Sequence, residues 1–226
     1  TQHSSNIRIQ YSLLKLNLKS EQLERSLTEA TLKSLRMQIN PHFLFNTLHT
    51  VASLIRVEKS NEAIVTLSNL SDLLRSTVYE NNAEHITIQA EIEFLKKYLS
   101  IEELRFSDRL KINWQIEKEV MNYIVPKLLL QPIIENALKH GLKEKKQGIL
   151  SIEIGNTLDK QIIFVIEDNG NGLPPNFDII QDSGVGLKNT LERLDVIYNR
   201  QFYFDISNLD SAGVRVQIIV PNCLMV

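Results

Sequence analysis

Two groups of residues in this chain have the types and spacing for chemistry. The first is Gln38-Ile39-Asn40-Pro41-His42-Phe43-Leu44-Phe45-Asn46, a histidine directly after a proline. A neutral imidazole can attack phosphorus through one ring nitrogen while a neighbour holds the proton on the other. Pro41 lacks the amide that would bond the Met37 carbonyl, and its ring collides with that turn. A kink or restart there would expose His42. A lone helical histidine is more often structural or a plain surface residue, and His49, seven residues on along the same face, is a competing nucleophile. Phe43, directly after His42, is apolar, so a group orienting the ring must come from elsewhere, with Glu102 a candidate.

The second group begins roughly a hundred residues later, at Gln131-Pro132-Ile133-Ile134-Glu135-Asn136-Ala137-Leu138-Lys139-His140-Gly141. On a helix, Asn136, Lys139 and His140 share one face by their i, i+3, i+4 spacing. The Asn136 amide oxygen can complete a Mg²⁺ shell, because magnesium takes hard oxygen ligands and keeps several waters. Lys139 and His140 could neutralise phosphate oxygens, although a basic pair also ends many helices simply to satisfy the dipole. Asp168-Asn169-Gly170-Asn171-Gly172 follows an apolar strand pattern. It reads either as a hairpin turn or as a carboxylate accepting from the amino group of a bound base, with Gly170 and Gly172 letting the backbone pass close. A calcium loop fits badly, since these glycines fall where oxygen-bearing side chains belong. Gly184-Val185-Gly186-Leu187 opens a helix pattern, and glycines there leave free amides for phosphate. No Rossmann fingerprint and no P-loop is present.

The elements that must position these groups are legible as patterns. Residues 7–37 carry an apolar heptad (Ile9, Leu16, Leu23, Ala30, Met37, with Leu13 and Leu27), weakened by Ser20 and Ser34. That spacing lays one stripe against a partner helix, a second copy of the chain or an intrachain core. A helix continues to about Arg56, a second starts near Asn61 and ends by Glu80-Asn81-Asn82, and a third spans Ile88 to Phe106. Beyond Ser107 the period changes to two. Leu110–Ile116, Leu150–Ile154, Gln161–Asp168 and Arg215–Val220 read as strands, with Gln201–Ile206 weaker, and helices are expected at Pro126–His140 and Leu187–Asn199. Strands and helices in that order predict an α+β fold, a helical region followed by a two-layer α/β sandwich.

Composition narrows the function classes. A net charge of -2 offers no electrostatic reason to expect nucleic acid, and the single Cys223 cannot form an internal disulfide. No apolar run reaches the ~18–20 residues of a membrane span. The chain opens at Thr1 inside a helix pattern, which suggests a piece of a longer protein.

The order and spacing of these pieces carry a resemblance. Residues 126–221 resemble a GHKL (Bergerat) ATP-binding domain, with Asn136 in the N box, Asp168-x-Gly170-x-Gly172 in the G1 box and Gly184-x-Gly186 in the G2 box. Residues 34–106 resemble the histidine-kinase domain of LytS-type sensor kinases through Pro41-His42-Phe43-Leu44-Phe45-Asn46, Leu74-Arg75 and Tyr98-Leu99-x-Ile101-Glu102-x-x-Arg105-Phe106. The resemblance implies a signalling coiled-coil helix over 1–33, a dimerisation and histidine phosphotransfer hairpin over 34–86, and a catalytic ATP-binding domain over 87–226. It implies His42 as phosphoacceptor and Asn46 as a residue for dephosphorylating the regulator. Asn136 would hold Mg²⁺, with Lys139, His140, Asp168, Gly170, Gly172, Gly184, Gly186 and Leu187 around ATP. The partners implied are a second copy of the chain and a response-regulator receiver domain. A bacterial inner membrane would enter only through a sensor region outside this chain, whose own place would be the cytoplasm. A degenerate kinase acting as a nucleotide sensor or regulator phosphatase is the alternative. Pro132 stands where GHKL hydrolases place a water-activating glutamate, which argues against an ATPase. Only Phe177 is aromatic in the short lid, and Ala212-Gly213-Val214 replaces the usual Gly-Thr.

Overall fold

The computed structural model describes residues 41–78, 84–107, 109–182 and 184–222. The heptad segment 7–37 and the turn before Pro41 lie outside them. Helix α1, Pro41–Arg56, and helix α2, Ser60–Val78, form a hairpin whose turn places Glu58 at a left-handed φ of 62°. Their facing stripe buries Phe43, Val51, Leu54, Ala63, Leu70 and Leu73. Two threonines sit in that stripe because their hydroxyls bond back one turn, Thr47 to the Phe43 carbonyl at 2.8 Å and Thr66 to Glu62 at 2.7 Å.

A short strand β1, His85–Thr87, leads into helix α3, Ile88–Phe106. Thr87 caps α3, its Oγ1 accepting the Ala90 amide at 3.2 Å, and Ser107 ends it in the left-handed region. The hairpin lies on α3: Lys97 Nζ meets Asp72 Oδ2 at 2.6 Å, Asn69 Nδ2 donates to Ser100 Oγ at 3.0 Å, and the Phe43 and Tyr98 rings are 4.9 Å apart.

Strands β2 (Leu110–Ile116), β4 (Gly148–Asn156), β5 (Ile162–Asp168), β6 (Tyr203–Asn208) and β7 (Val214–Val220) form one sheet in the order β2-β4-β5-β7-β6, while β3, Ile124–Pro126, pairs with β1. Among the described strands only the β2–β4 pair is parallel. Alternation decides the layers. Leu150, Ile152 and Ile154 of β4, Ile162, Phe164 and Ile166 of β5, and Val216, Ile218 and Val220 of β7 are all buried, in one core with α3 and the later helices. The opposite face carries polar groups such as Glu167 and Arg215, joined at 2.6 Å through Nε, as expected of a largely antiparallel sheet with one solvated face. The expected α+β two-layer sandwich is the one observed.

The helix expected over Pro126–His140 is shorter and changes type. Pro126 ends β3, residues 127–130 form a turn in which Leu128 has φ 57°, and α4 runs only Gln131–Asn136 before a π-helical turn, Ala137–Leu142. Pairing of β3 with β1 holds the Pro126 end extended, which local propensity does not reveal. A four-residue helix α5, Ile179–Asp182, precedes α6, Val185–Tyr198. Among the described residues no helix is long and apolar enough to cross a membrane.

Candidate nucleotide pocket and histidine helix

The period-two pattern of β5 places Asp168 in the inward series after Ile162, Phe164 and Ile166, so a carboxylate arrives where apolar groups belong. It is 6% exposed, and burial pushes its pKa up against hydrogen bonds from the Gly170 and Val214 amides. The Gly170 amide donates to Oδ1 at 2.7 Å. Three glycines let the chain close around it. A Cβ on Gly141 would lie 2.7 Å from Asp168 Oδ1, one on Gly170 would strike Gly141 and the carboxylate, and one on Gly213 (φ 105°) would strike the Asp168 carbonyl. Gly172, at φ 80°, needs the left-handed region outright.

Asp168 opens on a cavity of about 380 Å³, within the size range of small-ligand sites. Its walls are apolar (Ile133, Ile166, Leu187, Val216), and Asn136, His140, Gly172, Phe177 and Gly184 also line it. Of the residues expected to act together, Asn136, His140, Asp168, Gly172, Gly184 and Leu187 meet here; Lys139, Gly170 and Gly186 are not in the lining. The π-helical turn is the reason for Lys139: i→i+5 bonding underwinds the helix, so the i, i+3, i+4 face of a 3.6-residue turn is lost, and Lys139 is exposed. His140 is held below its usual pKa by burial, then by Lys139 and Lys143, which keeps it a neutral hydrogen-bonding group near pH 7. Gly184 caps α6, with nothing within 4 Å of a Cβ placed there, and its carbonyl accepts from Leu187 and Lys188 at 3.2 and 3.3 Å.

The arrangement fits a flat base with one amino donor directed at Asp168 and its rings against apolar walls. It also fits a Mg²⁺ ion only in one way. Among the described residues no cluster of three or more His, Cys, Asp or Glu could hold a metal. A hard cation would therefore rest on the Asn136 amide together with phosphate and water oxygens.

His42 is exposed in the first described turn of α1 and is not in the lining of that cavity. Asn46 Nδ2 lies 3.2 Å from both ring nitrogens. Phe43 turns the other way, 8% exposed against Tyr98. That explains why an apolar residue follows the histidine: position 43 anchors the helix and cannot orient the ring. Glu102, the candidate orienter, is 2% exposed and paired with Arg105 at 2.5 Å. Burial, then the neighbouring Glu135 against the opposing Arg105, leaves its pKa raised to about 7. Gly141 and Gly213 were not anticipated as site residues; Gly141 follows the Asn136 box in sequence, but Gly213 lies far from every box and only its approach to Asp168 in space reveals it.

Residues 30–110 match the protein family described as Histidine kinase. The chain is 33% identical over 220 residues to the sensor protein LytS of Oceanobacillus iheyensis, covering 91% of this chain and 37% of that protein. It is 32% identical over 211 residues to the sensor histidine kinase YpdA of Escherichia coli K12, covering 90% of this chain and 36% of that protein. The chain thus spans little more than a third of either relative. In fold it is similar to the histidine kinase domain of the Erythrobacter litoralis EL346 blue-light activated histidine kinase, with a TM-score of 0.50 at 18% identity, over 85% of this chain and 91% of that one. With an exposed histidine in the Pro41–Asn46 segment and an Asp168-centred cavity on a two-layer sandwich, residues 30–110 match the Histidine kinase family and the chain is similar over nine-tenths of its length to LytS-type sensor proteins.

Proposed function

We propose that this chain is the kinase core of a two-component sensor, an ATP-dependent protein-histidine kinase that phosphorylates His42 and passes the phosphoryl group to an aspartate of a response regulator. One observation carries the reading: a single chain holds an exposed histidine beside a side-chain amide and, elsewhere, an apolar cavity closed over a buried carboxylate. Asp168 would select adenine, Asn136 would hold Mg²⁺, and His140 with the amides at Gly184–Leu187 would meet the phosphates. Magnesium, when bound, screens charge on the phosphates; the chain's own task is positioning. The ring nitrogen of His42 attacks the γ-phosphorus, a nitrogen–phosphorus bond forms and the bond to ADP breaks. Because His42 lies outside the cavity lining, residues 87–226 must move against the 34–86 hairpin for transfer. Residues 1–33 would deliver the input.

The hairpin leaves Phe45, Leu48, Ala52 and Ile55 exposed at helical spacing on α1, and Ile64 and Leu67 on α2. This apolar face supports a homodimer, and the part of the relatives' length not spanned here is where a membrane-bound sensor region of a bacterial inner-membrane protein would lie, with this chain in the cytoplasm. Asn46 would orient a water for dephosphorylating the regulator. The test is incubation with γ-labelled ATP. Acid-labile, alkali-stable label that is lost in His42→Gln and in Asp168→Asn is expected; label retained in His42→Gln and lost in His49→Gln would move the acceptor. Rapid phosphate release without phosphoprotein would replace the kinase by an ATPase.

A further inference from the structure

Glu91 is a buried charge that the kinase reading leaves without a task. It lies in the first turn of α3, 1% exposed, and both its oxygens reach another segment of chain. Oε2 accepts the Leu128 amide at 2.9 Å and Oε1 accepts the Leu130 amide at 3.1 Å. Those amides belong to the turn that launches α4, the helix carrying Asn136. Leu128 is held at φ 57°, a conformation a branched side chain adopts only when its surroundings impose it. Leu130 is the N-cap of α4 and no side chain of its own caps the helix. On the other side, the charge of Arg193 in α6 faces Glu91, and Arg193 Nε is buried without a hydrogen-bond partner among the described residues. One carboxylate therefore joins α3 to the start of α4 and lies within the influence of the Arg193 charge on the helix that Gly184 to Leu187 opens.

We propose that Glu91 is a positioning residue for the nucleotide pocket: by holding the Leu128–Leu130 turn it sets the start of the helix that carries Asn136. The Arg193 charge of α6 favours the ionised form of Glu91. The inference rests on the nucleotide reading above. Its ionisation matters to the geometry. A carboxylate accepts from both amides, whereas a protonated carboxyl turns one oxygen into a donor and leaves an amide without its acceptor. Burial pushes Glu91 up to about 7, opposed by the amides of Leu128, Leu129 and Leu130 and by Arg193, the charged group that faces it from α6. The pocket should tighten as pH rises through that value and slacken below it.

The experiment is calorimetric titration of the full chain with AMPPNP and Mg²⁺, from roughly pH 6 to roughly pH 8.5, on the wild type, Glu91→Gln, Arg193→Met and Asp168→Asn. Circular dichroism checks each fold. Glu91→Gln should bind about tenfold more weakly at the alkaline end and vary less with pH, the wild type approaching it on acidification. Wild-type affinity with a wild-type pH slope in Glu91→Gln overturns the inference. If that variant does not fold, Arg193→Met carries the test. Without the opposing guanidinium the Glu91 carboxyl titrates higher, so the midpoint of the affinity loss should move to higher pH; an unmoved midpoint overturns the inference. A wild type that binds no AMPPNP, or an Asp168→Asn variant that binds it unchanged, overturns the nucleotide reading and the inference with it.

Discussion

At the scale of single residues, the site is organised around one carboxylate in an apolar register. Asp168 was readable in advance as the carboxylate that ends an apolar strand and opens Asp168-x-Gly170-x-Gly172; that it belongs to the inward series came only with the structure. Its surroundings were not readable, because Gly141 and Gly213 reach it through tertiary approach. Asp168→Asn replaces an acceptor-only group with an amide that can present a donor to another donor. Loss of roughly 1.5–3 kcal/mol in nucleotide affinity is expected by calorimetry, the range for one charge-assisted hydrogen bond. Gly141→Ala tests the cradle without touching the charge. Its Cβ would fall 2.7 Å from Oδ1, so either the π-helical turn or the carboxylate must shift. Nucleotide affinity should fall about tenfold with the fold retained, a cost of about 1.4 kcal/mol. Unchanged binding would show that the turn has slack the structure does not display.

Among the elements, α3 links the two halves. Its limits, Ile88 to Phe106, were legible from periodicity and the change of pattern beyond Ser107, while the Thr87 cap came only with the structure. Strands β1 and β3 were not legible, since three residues carry no period and their partner lies far along the chain. The π-helical turn was equally hidden, because 3.6-residue spacing is the default in any sequence argument. On one side α3 receives Phe43; Phe43→Ala should cost about 3 kcal/mol in urea unfolding and loosen the histidine helix from Tyr98. On the side facing α4, Glu102 makes a pH prediction. Its ordinary value of 4.5 rises to about 7, chiefly through burial, so the folded chain holds a proton that the unfolded chain has already released. This contribution to stability is fully present below about pH 4.5 and is lost as pH rises through about 7. Glu102→Gln keeps the shape and removes the titration. Its unfolding free energy should vary less between about pH 5 and about pH 8, by on the order of 2 kcal/mol. An unchanged slope would place the titrating group elsewhere.

For the whole molecule, the question is what covers the outer face of the α1–α2 hairpin. Phe45 at 64% exposed, Ile55 at 57% and Ile64 at 64% are too apolar to remain in water as one continuous stripe. The sandwich offers no comparable demand, since its solvated sheet face carries charge pairs such as Glu167 with Arg215. Association should therefore belong to the helical part. Sedimentation is expected to give a dimer for the full chain and a monomer for a chain starting near residue 87, the hairpin contributing more than the serine-interrupted heptad before it. Phe45→Glu together with Ile64→Glu places charge in the stripe while leaving the buried Phe43 and Leu70 untouched. That variant should dissociate at tens of micromolar and still bind nucleotide, because the pocket lies wholly in the later residues. A double variant that stays dimeric would assign the contact to other residues, and a monomeric full chain at that concentration would leave the stripe to a different partner.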